Sequence, residues 1–208
     1  MGVPGEVGLT LLDRARAKKR NNALVAVACG AIPASLFTIY FHAGLAHWLV
    51  GFAVGLVWGN AFEYSYHRWL LHWPKSAFGR GHLDHHRTAG SVGQVEHITF
   101  GRNPLNVVAL FASNGVLLAL LEVLFRIRIA PGVLVGWAAY LILLEEIHWR
   151  VHMEAWLPRF LQFARAYHLS HHDIPNTRYN VFLPLFDFIF GDNRVSAARM
   201  PLQYPPRT

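Results

Sequence analysis

The sequence predicts an all-α integral membrane protein, a bundle of four transmembrane helices. Three observations indicate this fold class. Hydrophobic residues make up 53% of the 208 residues and charged residues only 15%, whereas charged residues are about 25% of a typical soluble domain. Four apolar runs are each long enough to cross a bilayer. Ten of the 13 histidines lie in clusters that begin at the ends of the second and fourth runs.

Each apolar run predicts one membrane-spanning helix, because about 20 residues at about 1.5 Å per residue cross the hydrocarbon core. The first run, residues 23–41, follows a basic lead at residues 1–22. It is too long for a signal peptide and lacks a clear cleavage site, so we expect a retained helix. The second and third runs cover residues 45–66 and 104–125, and the third opens with an Asn-Pro helix-start signal. The fourth covers residues 129–147.

Basic residues predict the orientation of these helices. The lead carries five, the segment 66–103 carries five and the chain from His148 onward carries seven, whereas the opposite turns carry only Arg126 and Arg128. Because basic loops stay in the cytoplasm, we expect a multi-pass protein of the bacterial cytoplasmic membrane with cytoplasmic termini and a cytoplasmic middle segment. The expected boundaries are a lead at 1–22, a membrane domain at 23–195 and a tail at 196–208.

The clustered histidines form two similar sets, each a spaced doublet at the end of an apolar run followed by H-x-x-H-H. The first set is His67, His72, His82, His85 and His86, and the second is His148, His152, His168, His171 and His172. Separations of three and four residues place each triplet, and the second doublet, on one helix face. The first doublet is separated by five. Either the helix loosens before Pro74, or its two rings serve different metals.

Metal binding is the economical explanation for ten clustered imidazoles. A neutral imidazole is a common metal ligand, whereas burying an unpaired ring costs about 1–3 kcal/mol. Ten nitrogens over two ions average five each, which suits six-coordinate ions with one open position better than four-coordinate structural zinc. The single cysteine, Cys29, excludes a sulfur-ligated cluster. The pattern favours two iron ions, and zinc can occupy such sites in isolated protein.

The three remaining histidines and the acids near the clusters are not interpreted as metal ligands. His42 and His47 stand alone at the far turn and are assigned no role, and His97 is interpreted as structural. Acids near the clusters could orient the rings by accepting their second N–H. The candidates for this role are Glu63, Asp84, Glu145 and Asp173.

The order and spacing of the clusters resemble the fatty acid hydroxylase/sterol desaturase superfamily of membrane di-metal oxygenases. The clusters read H-x4-H, H-x2-H-H, H-x3-H and H-x2-H-H. The closing segment, with Asn180-Val181, Pro184-Leu185-Phe186-Asp187 and Phe190-Gly191, is similar to that of the family. The resemblance covers roughly residues 45–195.

The resemblance implies that all ten clustered histidines bind a di-iron centre in a cytosolic helical cap, which we expect at residues 67–103 and 148–195. It also implies hydroxylation of a lipid C–H bond, first of all in a fatty acyl chain, with dioxygen and two electrons. Some relatives carry a fused cytochrome domain that the lead is too short to hold, so we expect a separate ferredoxin- or cytochrome-like donor. The basic charge suits anionic lipid or an acidic donor rather than nucleic acid.

Alternative functions share part of this pattern. A desaturase, or a sterol or carotenoid hydroxylase, would have the same histidines. A membrane zinc hydrolase would need fewer ligands and an acid as the base, for which Glu145 or Asp84 could serve. A metal carrier would need ligands along the membrane path, whereas these ligands collect on one face.

Overall fold

A computed structural model describes residues 4–99 and 103–194, and within these ranges the chain is helical without a β-strand. The helices are α1 (Pro4–Phe41), α2 (Leu45–Tyr66), α3 (Ala77–Thr88), α4 (Pro104–Phe125), α5 (Ala130–His152), α6 (Gln162–Asp173) and α7 (Leu185–Phe190). The chain divides into two compact units, Met1–Gly59 with Val92–Glu146 and Asn60–Ser91 with Ile147–Thr208. The tail predicted at 196–208, and Arg102, lie outside the described residues.

Four helices are long and apolar enough to span a membrane, which confirms the predicted fold class. They are α1, α2, α4 and α5. α2 and α4 span the same residues as the second and third apolar runs, whereas α5 continues to His152. Many of their large apolar side chains are exposed, among them Ile39, Leu45 and Leu124. Such surfaces are stable when lipid covers them.

α1 is longer than the first apolar run. It continues back through the basic lead and begins at Pro4 rather than near residue 23. Alanine, arginine and lysine are favourable in helices, so the lead forms part of the helix that follows it. Within the first unit, Lys19 pairs with Glu146 of α5 at 2.6 Å. The structure also groups residues 92–99 and 103 with this unit, whereas the sequence predicted them to be part of the cap.

Glycines allow α2 and α5 to approach closely within the first unit. They recur at four-residue spacing, at Gly51, Gly55 and Gly59 on α2 and at Gly132 and Gly136 on α5. A Cβ at Gly55 would lie 2.4 Å from the carbonyl oxygen of Val133 and 2.9 Å from the amide nitrogen of Trp137. Because both atoms belong to the backbone, a larger residue would force the helices apart.

A buried carboxylate holds the loop between α4 and α5. Both oxygens of Glu122 accept backbone N–H groups, one from Arg128 at 2.7 Å and one from Ala130 at 2.7 Å. Arg126 and Arg128 are left-handed, with φ of 51° and 65°, a conformation that costs energy in residues other than glycine. The Glu122 carboxylate therefore stabilises a strained loop.

The second unit contains α3, α6 and α7. A π-helical turn, His67–Leu71, follows α2 directly. Ser76 begins α3 as its N-cap and accepts the Gly79 N–H at 2.7 Å. All ten clustered histidines belong to this unit.

Gly55→Ala should destabilise the protein, because its methyl group would meet the backbone of α5. Overpacking of this kind costs about 1–3 kcal/mol. Gly115→Ala on α4 is the matched control, since a Cβ there would have no described atom within 4 Å. Differential scanning fluorimetry in detergent should show a lower unfolding midpoint for Gly55→Ala only. Equal midpoints in the two variants would show that this close approach does not contribute to stability.

Candidate metal centre

A π-helical turn brings the first histidine doublet together. The His72 amide donates to the carbonyl oxygen of His67 at 3.2 Å, which is the i to i+5 bond of a π turn. This turn accommodates one more residue than an α turn, so the two rings reach the same group with centroids 5.1 Å apart. The five-residue spacing of His67 and His72 was compatible with a loosened helix or with rings that serve different metals. The structure shows the loosened helix.

The ten clustered histidines converge in two groups of five. Within each group, one ring nitrogen of every member lies within 4.8 Å of those of the other members. The first group consists of His67, His72, His82, His86 and His171, and the second consists of His85, His148, His152, His168 and His172. His42, His47 and His97 lie outside both groups.

The two groups exchange the middle histidine of their triplets. His82 and His86, four residues apart on α3, remain with the first doublet, whereas His85 joins the second group. On α6 the exchange runs in the opposite direction. His171 joins the first group, whereas His168 and His172 remain with the second doublet. Each of these short helices therefore contributes to both groups.

Nitrogen–nitrogen separations in both groups match those between ligands of one metal ion. In the first group, Nε2 of His82 lies 2.9 Å from that of His67 and 3.0 Å from that of His86. In the second, Nε2 of His152 lies 3.0 Å from that of His168. Metal–nitrogen bonds of about 2.1 Å separate adjacent ligands of a six-coordinate ion by about 3.0 Å. The rings already have the spacing of a coordination sphere.

Backbone carbonyls determine which nitrogen carries the proton in two rings. His67 Nδ1–H donates to the carbonyl oxygen of Tyr179, and His171 Nδ1–H donates to that of Thr177 at 2.6 Å. Because a carbonyl only accepts, the proton of each neutral ring lies on Nδ1 and Nε2 keeps its lone pair. These lone pairs face other imidazole nitrogens. A bound cation would stabilise this arrangement.

The buried rings are neutral. Burial, and after it the neighbouring imidazoles, lowers the pKa of His72 to about 2. The same causes hold the pKa of His82, His85 and His168 well below the ordinary value of 6.5. A neutral imidazole binds metal without first losing a proton, so the residues present fit two nitrogen-ligated ions. Five donors per ion leave one position of a six-coordinate ion open.

Asp187 supports the ring orientations, although the sequence did not mark it as a site residue. Its carboxylate is fully buried at the start of α7 and accepts the backbone N–H groups of Tyr179 at 2.8 Å and Asn180 at 2.9 Å. It also accepts the Tyr167 hydroxyl at 3.0 Å. It therefore holds the segment whose carbonyl contacts His67. A lone acid in the apolar run Leu-Phe-Asp-Phe-Ile-Phe was the available signal.

Glu63, one of the four acids proposed to orient the rings, holds the same segment from α2. It accepts the Val181 N–H at 2.7 Å and the Asn180 side-chain amide at 2.9 Å. Its carboxylate is buried, so these two hydrogen bonds offset part of the cost of taking a charge out of water. Through the backbone, Glu63 contributes to the position of the Tyr179 carbonyl.

The other three acids have different surroundings. Glu145 accepts a hydrogen bond from the Asn22 amide at 3.0 Å within the first unit. Asp84 pairs with Arg87 one turn further along α3 at 3.3 Å. Asp173, the last residue of α6, is exposed.

Comparison with known proteins identifies a family. A family model described as Fatty acid hydroxylase matches residues 52–192, more than half of the chain and a range that includes all ten clustered histidines. Neither the curated proteins nor the solved structures include a significant match.

Removal of one ligand should lower the metal content by about half, because two separate groups of five ligands each hold one ion. We expect this result for His67→Ala in the first group and for His152→Ala in the second, measured by inductively coupled plasma mass spectrometry of purified protein. His42→Asn is the control, since His42 lies outside both groups and asparagine tolerates its left-handed φ of 52°. Full metal content in both ligand variants would contradict the assignment.

Asp187→Asn should weaken metal binding about tenfold or more, a typical effect of losing a group that orients ligands. The asparagine side chain has only one carbonyl oxygen, so it cannot accept both backbone N–H groups as the two carboxylate oxygens of Asp187 do. The segment at Tyr179 would therefore shift. Asp173→Asn removes the same charge at an exposed position and should leave metal affinity unchanged. Chelator competition measures both affinities. An equal loss in the two variants would indicate a general charge effect instead.

Proposed function

The chain belongs to the fatty acid hydroxylase family, and we propose that it hydroxylates a lipid C–H bond with dioxygen at two histidine-bound metal ions. Family membership supports a lipid oxygenase of the hydroxylase or desaturase type. The observation that carries the finer proposal is the convergence of ten imidazoles in two adjoining groups. Rings of the two groups are in contact, with centroids of His86 and His172 only 4.3 Å apart.

The proposed ions are iron. A nitrogen-only ligand set with one open position per ion suits iron centres that use dioxygen. Bound iron would pass electrons from a donor to dioxygen and would offer the open coordination position that dioxygen activation requires. Zinc would bind the same rings but has no redox chemistry, so zinc-loaded protein should be inactive.

The residues of the chain hold the ions, orient the ligands and limit access of water. His85, His168 and His171 are at most 1% exposed, so these rings are shielded from water. The half-buried rings are those of His72, His82, His86, His148 and His172, and substrate and dioxygen would approach past them. Exclusion of water from the buried rings protects a reactive centre from side reactions.

The balance of the reaction requires an electron donor. Hydroxylation places one oxygen atom in the lipid and releases the other as water, which consumes two electrons and two protons. The electrons would come from a separate ferredoxin- or cytochrome-like protein, and protons from solvent would enter past the half-buried rings. No side chain needs to act as a general base, because the C–H bond is broken by oxidation rather than by deprotonation.

The proposed location is a membrane with the histidine groups on its cytoplasmic side. Four membrane-spanning helices support the membrane location. The side is inferred from the excess of basic residues in the lead, the middle segment and the chain after His148. The proposed substrate, a fatty acyl chain, would be free or part of a larger membrane lipid.

A hydrolase has less support from the observed contacts. A zinc hydrolase needs a carboxylate that activates water at the metal. Of the two acids considered for that role, Asp84 pairs with Arg87 and Glu145 accepts a hydrogen bond from Asn22. The ten converging nitrogens also exceed what zinc hydrolysis requires.

Lipid mass spectrometry of expressing cells grown under isotopically heavy dioxygen tests the proposal. Cells with the unmodified protein and a compatible donor should contain a lipid that has gained one heavy oxygen atom. His171→Ala, which removes a ligand, should abolish the product, and His42→Asn should retain it. A lipid that loses two hydrogens without gaining oxygen would indicate a desaturase. Unchanged lipids with iron-loaded protein and donor present would contradict an oxygenase.

A further inference from the structure

The first unit contains an apolar cavity that the metal chemistry does not use. Its volume is about 210 Å³, whereas an apolar cavity of about 150 Å³ is enough to bind benzene. Its walls come from α2, α4, α5 and the loop that joins α4 to α5. Side chains that line it include Val54, Trp58, Leu118, Leu134 and Trp137. A volume of this size holds several carbons of an alkyl chain.

The cavity opens between side chains that would face lipid. Val54, Trp58 and Leu117 line it and are 43%, 40% and 53% exposed. α2 and α4, which carry these residues, are long and apolar enough to span a membrane. An apolar opening within the hydrocarbon layer is filled by alkyl chains rather than by water, because water there would have few polar partners.

Two exposed arginines adjoin this cavity. Ile127 lines the cavity, and Arg126 and Arg128 are its neighbours in the loop. Among the described residues neither guanidinium forms an ion pair, because the nearby Glu122 carboxylate is engaged by backbone N–H groups. Both arginines are left-handed, with the Arg128 N–H bonded to the Glu122 carboxylate and the Arg126 N–H bonded to the Glu122 backbone carbonyl. Strain of this kind concentrates at ligand sites.

We propose that the cavity and the loop together bind one anionic phospholipid. One acyl chain enters the cavity, and the phosphate accepts hydrogen bonds from Arg126 and Arg128, whose guanidinium groups match phosphate geometry. Negative charge on the lipid complements two cations that have no carboxylate partner in the part of the chain that the structure describes. This site is separate from the proposed reaction and does not depend on it.

Native mass spectrometry of lipid retained by the protein tests the site. The full chain is reconstituted in nanodiscs with equal amounts of phosphatidylglycerol and phosphatidylcholine and then transferred to mild detergent. We expect about one retained phospholipid per chain, with phosphatidylglycerol enriched about thirtyfold by two basic side chains. Arg126→Gln/Arg128→Gln should abolish the enrichment. Leu118→Phe should fill the cavity and release the lipid, and Val54→Phe repeats this test from α2.

A matched control separates the site from general surface charge. Arg14→Gln/Arg20→Gln removes two exposed charges from α1 and should keep the enrichment. Three results would overturn the proposal. The two double variants could lose the enrichment equally, the unmodified protein could retain no phospholipid, or Leu118→Phe and Val54→Phe could retain it fully. Metal content of the same samples shows that each variant is folded, and it tests the metal centre independently of the lipid site.

Discussion

The central physical constraint of this structure is the close approach of neutral imidazole nitrogens. Five ring nitrogens lie within 4.8 Å of one another in each of two groups. In the first group, carbonyls of Tyr179 and Thr177 bind the Nδ1–H of His67 and His171, so the opposite nitrogens meet as lone pairs. A cation between lone pairs this close together would stabilise them where water is excluded. The π turn after α2 brings His67 and His72 into one group. His85 on α3 and His171 on α6 each complete the group opposite to that of their neighbours.

Buried acids of the second unit act on the ligands through the backbone. Glu63, Asp187 and Asp192 are each at most 3% exposed, and all three hold the chain between α6 and the residues after α7. Asp192 pairs with Arg68, and its carbonyl accepts the Arg178 N–H at 3.0 Å. Burying a carboxylate is costly unless it is paired or hydrogen-bonded. The contacts offset this cost, and they position the carbonyls that orient two histidine rings.

The sequence predicts the membrane-spanning helices well, and the details of the candidate site less well. Apolar runs predicted α2 and α4 to the residue, because hydropathy alone determines which segments favour lipid. Spacing showed that His82 and His86 share a helix face, but it could not show that His85 turns to the other group. The five-residue spacing of His67 and His72 allowed a loosened helix but did not select it over two rings that serve different metals. The carbonyl of Tyr179 could not be inferred either, because every residue has a carbonyl and only tertiary structure selects one.

Anomalous diffraction at the iron absorption edge, from crystals of the iron-loaded protein, tests the metal centre most directly. Two peaks per chain are expected, one within the first group of five histidines and one within the second. Each peak should lie about 2.1 Å from the converging nitrogens. A single peak shared by both groups, or peaks bound by carboxylates such as Glu63 instead of imidazoles, would contradict the two-ion centre.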